Sequence, residues 1–467
     1  MKFQPTAEKG ATTVRLVEGS LTKFVDKVVA QELHIGTGLT AANKKEGLSR
    51  RKLILLMRKV VTTAKQYKLS TINISWEDIR ALVPEDVFDA ELGEVCSTAF
   101  VMADYEHNTY KTKPKEGFAH VATIALDSVS KEGINGAKRG HAIGLEVNAC
   151  RELANTPGGD MTPKLLALAA KKAIAGTKAT VKVLGVKEME KLGMGAVLGI
   201  GKGSKDEPQF IVMEYWGAPK SEKPIALVGK GVTFDTGGLN IKTGDNMYEM
   251  HMDMSGGAAV IHAVALAAKL KVKANVVGLV PAVENMAGAG AVRPGDMLKS
   301  LSGKYIEVLN TDAEGRVILA DGITYAKRYS PSAVVDVATL TGAALVALGT
   351  QASAFMTSDE DMISELMELG EKSGDYMWPF PAWEEYEEMT KSTFGDIPNL
   401  STDGNSRYGG VIAGGMFLKA FAKELDCLWI HIDMAPRMTS TPGEHLAKGA
   451  AGAPVRFLLK LIENGVE

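Results

Sequence analysis

The sequence predicts an α/β protein whose larger part is a mostly parallel central sheet flanked by helices, and three observations lead there. From about residue 160 onward, apolar runs rich in β-branched residues, at 180–186, 210–216, 224–229, 274–280, 305–310, 333–340 and 428–434, alternate with longer helical patterns. That is the texture of an α/β chain. The runs are nearly continuous in apolar character, as strands buried on both faces are. A chain of 467 residues also exceeds the size at which one core keeps growing, so two domains are expected.

Residues 1–138 show a weaker version of the same pattern, with a helical stretch at 52–65 and strand-like runs at 71–76 and 119–126. A smaller N-terminal α/β domain is expected there. The stretch from Gly133 to Gly140 reads as turn-rich, and a helical pattern then runs through Val147 and Leu153. It is stopped by Asn155-Thr156-Pro157-Gly158-Gly159-Asp160, a cluster of helix breakers. A connecting helix and turn over 139–159 is thus expected to lead into a larger domain over 160–467. Repeats, heptads and low-complexity tracts are absent.

Composition narrows the partners. The net charge of −3 and pI near 6.3 offer no basic excess for nucleic acid or an anionic membrane surface, so small-molecule or peptide substrates fit better. The three cysteines, Cys96, Cys150 and Cys427, are widely spaced without a C-x-x-C pair, which argues against a disulfide framework and against a thiolate zinc site. The first residues, MKFQPTAEKG, lack the apolar core of a secretory signal. The apolar stretch 333–348 is too short for a bilayer and carries Asp336, so a cytoplasmic protein without a membrane span is expected.

The chemistry concentrates after the 224–229 run. There the chain reads Gly229-Lys230-Gly231-Val232-Thr233-Phe234-Asp235-Thr236-Gly237-Gly238, and continues through Lys242 to His251-Met252-Asp253-Met254-Ser255-Gly256-Gly257. Charged groups among glycines at the end of a parallel strand mark the crevice where such sheets bind ligands. The phosphate-loop pattern G-x-x-x-x-G-K-[ST] is missing, because Gly231 follows Lys230. Asp253 precedes an apolar helical stretch, 258–270, and the 305–309 run leads into Asn310-Thr311-Asp312-Ala313-Glu314-Gly315-Arg316.

Taken singly, Asp235 and Asp253 read as turn or capping residues, Lys242 as a surface charge, and Met250, Met252 and Met254 as core filling. His251, His262 and His431 lack H-E-x-x-H spacing and read as structural. Together, however, four carboxylates in one crevice repel one another unless cations neutralise them. Two divalent ions would do so, and oxygen ligation without Cys or His suits Mn²⁺, Mg²⁺ or Zn²⁺.

The segment N-T-D-A-E-G-R at 310–316 resembles the signature of the leucyl (cytosol) aminopeptidase family. The resemblance extends to 228–238, Ile241-Lys242, 250–259 and Thr339-Leu340-Thr341-Gly342, and by order and spacing covers 140–467. It implies a di-metal peptidase domain on an N-terminal macro-like α/β domain, assembled as a homo-hexamer. Carried over by position, it implies that Asp235 and Glu314 bridge two metal ions, that Lys230 and Asp253 complete one site, and that Asp312 completes the other. A ligand lysine must be neutral, so an adjacent metal would pull Lys230 well below the usual value of about 10.4.

The resemblance further implies that Lys242 stabilises the transition state, that Arg316 holds a bicarbonate acting as general base, and that Met250, Asn310, Ala313, Thr339 and Gly342 line the pocket or bind the peptide backbone. The implied reaction is removal of an apolar, leucine-like N-terminal residue by a metal-bridging water. Rival readings are a dipeptidase or cysteinylglycinase of the same family, or a DNA-binding regulatory protein, since some bacterial members bind DNA. The departures are the His251-Met252 pair, Asn240, and the 397–415 segment around Tyr408-Gly409-Gly410. These bear on side-chain preference.

Overall fold

The computed structural model of the chain describes residues 1–26, 31–40, 45–402 and 408–466. Contacts divide it into two compact units, Met1–Asn148 with Ser440–Gly449, and Ala149–Thr439 with Ala450–Glu467. The return of a ten-residue segment near the C-terminus to the first unit has no counterpart in the sequence pattern.

The first unit holds a six-stranded sheet in the order β1-β6-β5-β2-β4-β3. Its strands are β1 (Lys2–Gln4), β2 (Thr12–Val17), β3 (Thr22–Asp26), β4 (Gln31–Gly36), β5 (Thr71–Ser75) and β6 (Thr123–Asp127). All neighbours are parallel except β3, which is antiparallel to β4. Helix α1 (Arg50–Gln66) buries Leu53, Ile54, Met57, Val60, Val61 and Ala64, one stripe at helical spacing. Helices α2 (Trp76–Arg80) and α3 (Asp89–Asp104) follow.

Helix α4 (Lys131–Ala154) corrects the sequence reading, because it runs straight through the stretch from Gly133 to Gly140 that was expected to turn. These glycines recur at helical intervals and face α3. A Cβ on Gly136 would lie 1.9 Å from Ala90 O, and one on Gly140 2.2 Å from Glu94 O. The residues are small because two backbones meet there; tertiary packing overrides helix propensity.

The second unit is built on a nine-stranded sheet of order β16-β15-β18-β14-β9-β11-β8-β7, with β10 paired to β11 off this path. In chain order the strands are β7 (Thr180–Leu184), β8 (Gln209–Trp216), β9 (Ile225–Gly229), β10 (Gly231–Asp235), β11 (Asn275–Asn285), β14 (Ala333–Ala338), β15 (Ser353–Thr357), β16 (Met377–Pro379) and β18 (Leu428–Asp433). The centre, β18-β14-β9-β11, is parallel, and every residue of β9 and β14 is buried. That is why these runs are continuously apolar.

The run at 305–310 behaves differently. Strand β13 (Tyr305–Glu307) belongs to a separate three-stranded sheet with β12 (Met297–Lys299) and β17 (Ile397–Pro398). It stops early because the Asn399 side chain accepts the N–H groups of Leu309 and Asn310 that a longer ladder would use. Helices α5 (Pro163–Ala173), α6 (Val186–Leu192), α7 (Gly195–Gly201), α8 (Ser255–Leu270), α9 (Glu314–Ala326), α10 (Gly342–Leu348), α11 (Met362–Ser373), α12 (Gly410–Ala422) and α13 (Val455–Asn464) complete the unit. Part of the 397–415 segment, 403–407, lies outside the described residues. Among the described residues no helix is long and apolar enough to cross a membrane.

Candidate metal centre

The carboxyl ends of the central strands deliver the chemistry. Lys230 follows β9, Asp235 ends β10, Asn285 ends β11, Thr339 follows β14 and Asp433 ends β18. Asp253 lies two residues before α8, and Glu314 opens α9. The Gly256-Gly257 pair at the start of α8 lets that helix lie against the strands, with Gly257 N donating to Lys230 O at 2.7 Å.

Lys230 Nζ lies 2.9 Å from Glu314 Oε1, and it donates to Asp253 Oδ1 at 2.7 Å and to Thr339 O at 3.0 Å. Lys242 Nζ lies 2.8 Å from Asp235 Oδ2 and 2.6 Å from Asp312 Oδ1. Asp235, Asp312 and Glu314 each bring one ligand oxygen within 4.8 Å of the others. Lys230, Asp235, Asp253 and Glu314 are each less than 5% exposed. Five residues named from the sequence, Lys230, Asp235, Asp253, Asp312 and Glu314, together with Lys242, therefore share one pocket of charge.

The cluster is short of positive charge, since four carboxylates face two ammonium groups. Burial, with the neighbouring Asp235 charge, pushes the Glu314 carboxyl up to about 8. Burial also carries Asp253 to about 6 despite Lys230, and it raises Asp312 against the pull of Lys242. For the lysines burial acts the other way, but it is outweighed. Asp253, Glu314 and Asp235 hold Lys230 above its ordinary value, and Asp235 and Glu314 do the same for Lys242. Glu314 Oε2 is buried without a hydrogen-bond partner among the described residues.

An orphaned carboxylate oxygen beside two further carboxylates is what a divalent cation satisfies, so the residues present fit metal ions. Cations on the carboxylates would also remove the reason for Lys230 to keep its proton.

Arg316, in the first turn of α9, is 6% exposed, and its Nε has no hydrogen-bond partner among the described residues. Burial lowers it to about 10, opposed by Glu314 and Asp433. A buried guanidinium with an unused N–H fits a small planar anion. Asp433 stabilises the neighbouring loop, accepting Leu340 N and Ala435 N at 3.1 Å each and the Thr341 hydroxyl at 2.6 Å.

The other sequence-named residues lie close by. Thr339 Oγ1 donates to Asp253 Oδ1 at 2.7 Å. Asn310 Oδ1 accepts Asp312 N at 2.8 Å, and Ala313 is the residue before α9. Met250 is half-buried in a one-turn helix, Met250–Met252, and Gly342 is exposed at the start of α10. His431 is fully buried and paired with Asp336, which also accepts Trp429 Nε1 at 2.8 Å. Sequence reading passed over Asn285, whose Nδ2 donates to Asp235 Oδ1 at 2.7 Å and to Thr311 O at 3.0 Å. Its only signal was a polar residue ending an apolar run.

Residues 148–459 match the family described as the cytosol aminopeptidase family, catalytic domain. The chain belongs to the cytosol aminopeptidase family. Membership places it among metal-dependent aminopeptidases whose centres are dinuclear. A probable cytosol aminopeptidase of Azoarcus sp. (strain BH72) is 44% identical over 350 residues, 75% of this chain and 68% of that protein. One from Roseiflexus castenholzii is 46% identical over 342 residues, 73% of this chain and 68% of that protein. Among solved structures, the bottromycin maturation enzyme BotP in complex with Mn superposes with a TM-score of 0.85 at 26% identity, covering 97% of this chain and 98% of its own. This cytosol aminopeptidase family member thus shares its α/β architecture with a manganese-bound relative.

Proposed function

We propose that the chain is a cytoplasmic aminopeptidase that cleaves the N-terminal peptide bond of peptides beginning with a leucine-like residue. The observation that carries the reading is the convergence of Lys230, Asp235, Asp253, Asp312 and Glu314 on one buried, cation-deficient cluster, with Lys242 and Arg316 beside it. These five residues would hold two divalent ions, Mn²⁺ or Zn²⁺ ahead of Mg²⁺, the manganese of the BotP structure favouring the first. When bound, the ions supply the Lewis acidity that activates water and polarises the scissile carbonyl.

The chain's own residues do the rest. Lys242 places a positive charge where the carbonyl oxygen becomes negative. Arg316 would hold a bicarbonate, which would supply the general base for the water's proton, a role its buried guanidinium and unused Nε suit. Asn310, Ala313, Thr339 and Gly342 line the approach of the peptide backbone, and Met250 offers an apolar, adaptable wall to the first side chain. Assembly into a homo-hexamer belongs to the same proposal.

The test is leucine release from leucine amide by chelated protein, before and after Mn²⁺ is restored, with Asp312→Ala and N-acetyl-leucine amide as controls. Restored activity that is absent in the variant and on the blocked amine supports the reading. Cleavage of the blocked substrate, or none with any metal, would overturn it. Faster turnover of cysteinylglycine than of leucine peptides would instead favour the dipeptidase reading.

A further inference from the structure

Asn240 departs from the family pattern in the sequence, and its position in the structure gives it a task. It lies two residues before Lys242, while Thr311 lies one residue before Asp312 on the facing turn. Thr311 N donates to Asn240 Oδ1 at 2.8 Å, and Asn240 N donates to Thr311 Oγ1 at 2.9 Å. Because the donor is a backbone N–H, the amide atom it meets is the oxygen. The hydroxyl of Thr311 has one proton, which goes to the nearer acceptor, Gly237 O at 2.6 Å. Three hydrogen bonds thus fasten one threonine, itself 0% exposed, to the loop that carries Lys242.

The loop is built for this approach. Gly237 and Gly238 have φ of +86° and +64°, and a Cβ on Gly238 would lie 2.9 Å from Thr311 Oγ1. The carboxylates have supports of their own. Asp235 Oδ1 accepts Gly237 N and Asn285 Nδ2, and Asp312 N donates to Asn310 Oδ1. Among the described residues, Lys242 has its backbone bond to Thr236 O, at 2.8 Å, and the two carboxylates at its tip.

We propose that the Asn240–Thr311 clasp is a positioning device that sets the Lys242 ammonium against the Asp235–Asp312 pair. This rests on the aminopeptidase reading of Lys242. Breaking the clasp shifts the cation and leaves the metal ligands anchored, so turnover falls while metal content and substrate affinity hold.

The test uses Asn240→Ala and Thr311→Val, with Thr311→Ser as the conservative variant. It reads kcat and KM on leucine amide, manganese bound per chain, and amide hydrogen exchange in peptides covering residue 311. Expected are a kcat about 10- to 100-fold lower in the first two variants, a KM within about threefold of wild type, unchanged manganese, and faster exchange at residue 311 in Asn240→Ala. Thr311→Ser should behave as wild type.

Wild-type kcat in Asn240→Ala overturns the proposal, as does manganese lost in step with activity, or Thr311→Ser as impaired as Thr311→Val. Should Thr311→Val fail to fold, Asn240→Ala carries the decision, because that side chain lies at the surface. If wild-type protein hydrolyses no leucine amide, the aminopeptidase reading fails. Hydrogen exchange then decides on the clasp alone, and an unchanged rate at residue 311 in Asn240→Ala refutes it.

Discussion

Replacing Gly315 by alanine adds one methyl group in the first turn of α9, and the structure places its effect. The new Cβ would lie 2.5 Å from Lys230 Cε and 2.8 Å from its Cδ and Nζ, about 1 Å inside an ordinary carbon–carbon contact. Lysine tips usually swing aside cheaply. This one is held by Asp253, Thr339 O and Glu314, and its side chain is 4% exposed. Overpacking costs about 1–3 kcal/mol, while alanine in place of glycine within a helix returns about 1 kcal/mol.

Folding stability should therefore fall by no more than about 2 kcal/mol, whereas the centre should suffer far more. Displacing Lys230, a proposed metal ligand, by about 1 Å is expected to cost about 100-fold in turnover. Manganese affinity should weaken by about 10- to 100-fold. Urea denaturation, competitive manganese titration and leucine amide turnover read the three effects separately. A Gly315→Ala protein that binds manganese and turns over like wild type would refute the placement of Lys230 against α9. So would one whose losses follow its unfolding.

Asn285→Ala removes one of the two donors to Asp235 Oδ1, leaving Gly237 N, and should weaken manganese binding by about 10-fold, measured by the same titration. Gly136→Ala, although favourable for an isolated helix, drives a methyl group into Ala90 O and should destabilise the first unit by about 1–3 kcal/mol, seen as a lower urea midpoint. Burial depresses His431, but Asp336 outweighs it and the imidazole is raised above its usual value. The stability of that charged pair is thus present in full below about pH 6.5 and lost as pH rises through the raised value. Wild-type urea midpoints should fall across that window, and His431→Gln should remove that part of the slope.

What the sequence could yield followed from how local each signal was. Continuous apolar runs such as 225–229 and 333–338 announced buried parallel strands, because their environment is the same on both faces. Asp312, Glu314 and Arg316 could be singled out together because one turn carries all three. The α4 glycines misled, since an isolated sequence cannot distinguish a glycine that bends the chain from one that admits a neighbouring backbone, here that of Ala90. Asn285, and the task of Asn240, escaped for a related reason. Their partners stand 26 and 71 residues away in the chain, and asparagine at a strand end or in a loop has many ordinary uses.

Stepwise addition of Mn²⁺ to chelated protein, following bound metal and leucine amide hydrolysis in the same samples, tests the central claim most directly. Activity should appear as the second ion binds each chain, and Glu314→Gln, lacking the proposed bridging carboxylate, should bind less than the full complement and stay inactive. Full activity in the chelated protein, or in Glu314→Gln, would contradict a two-metal centre built on these residues.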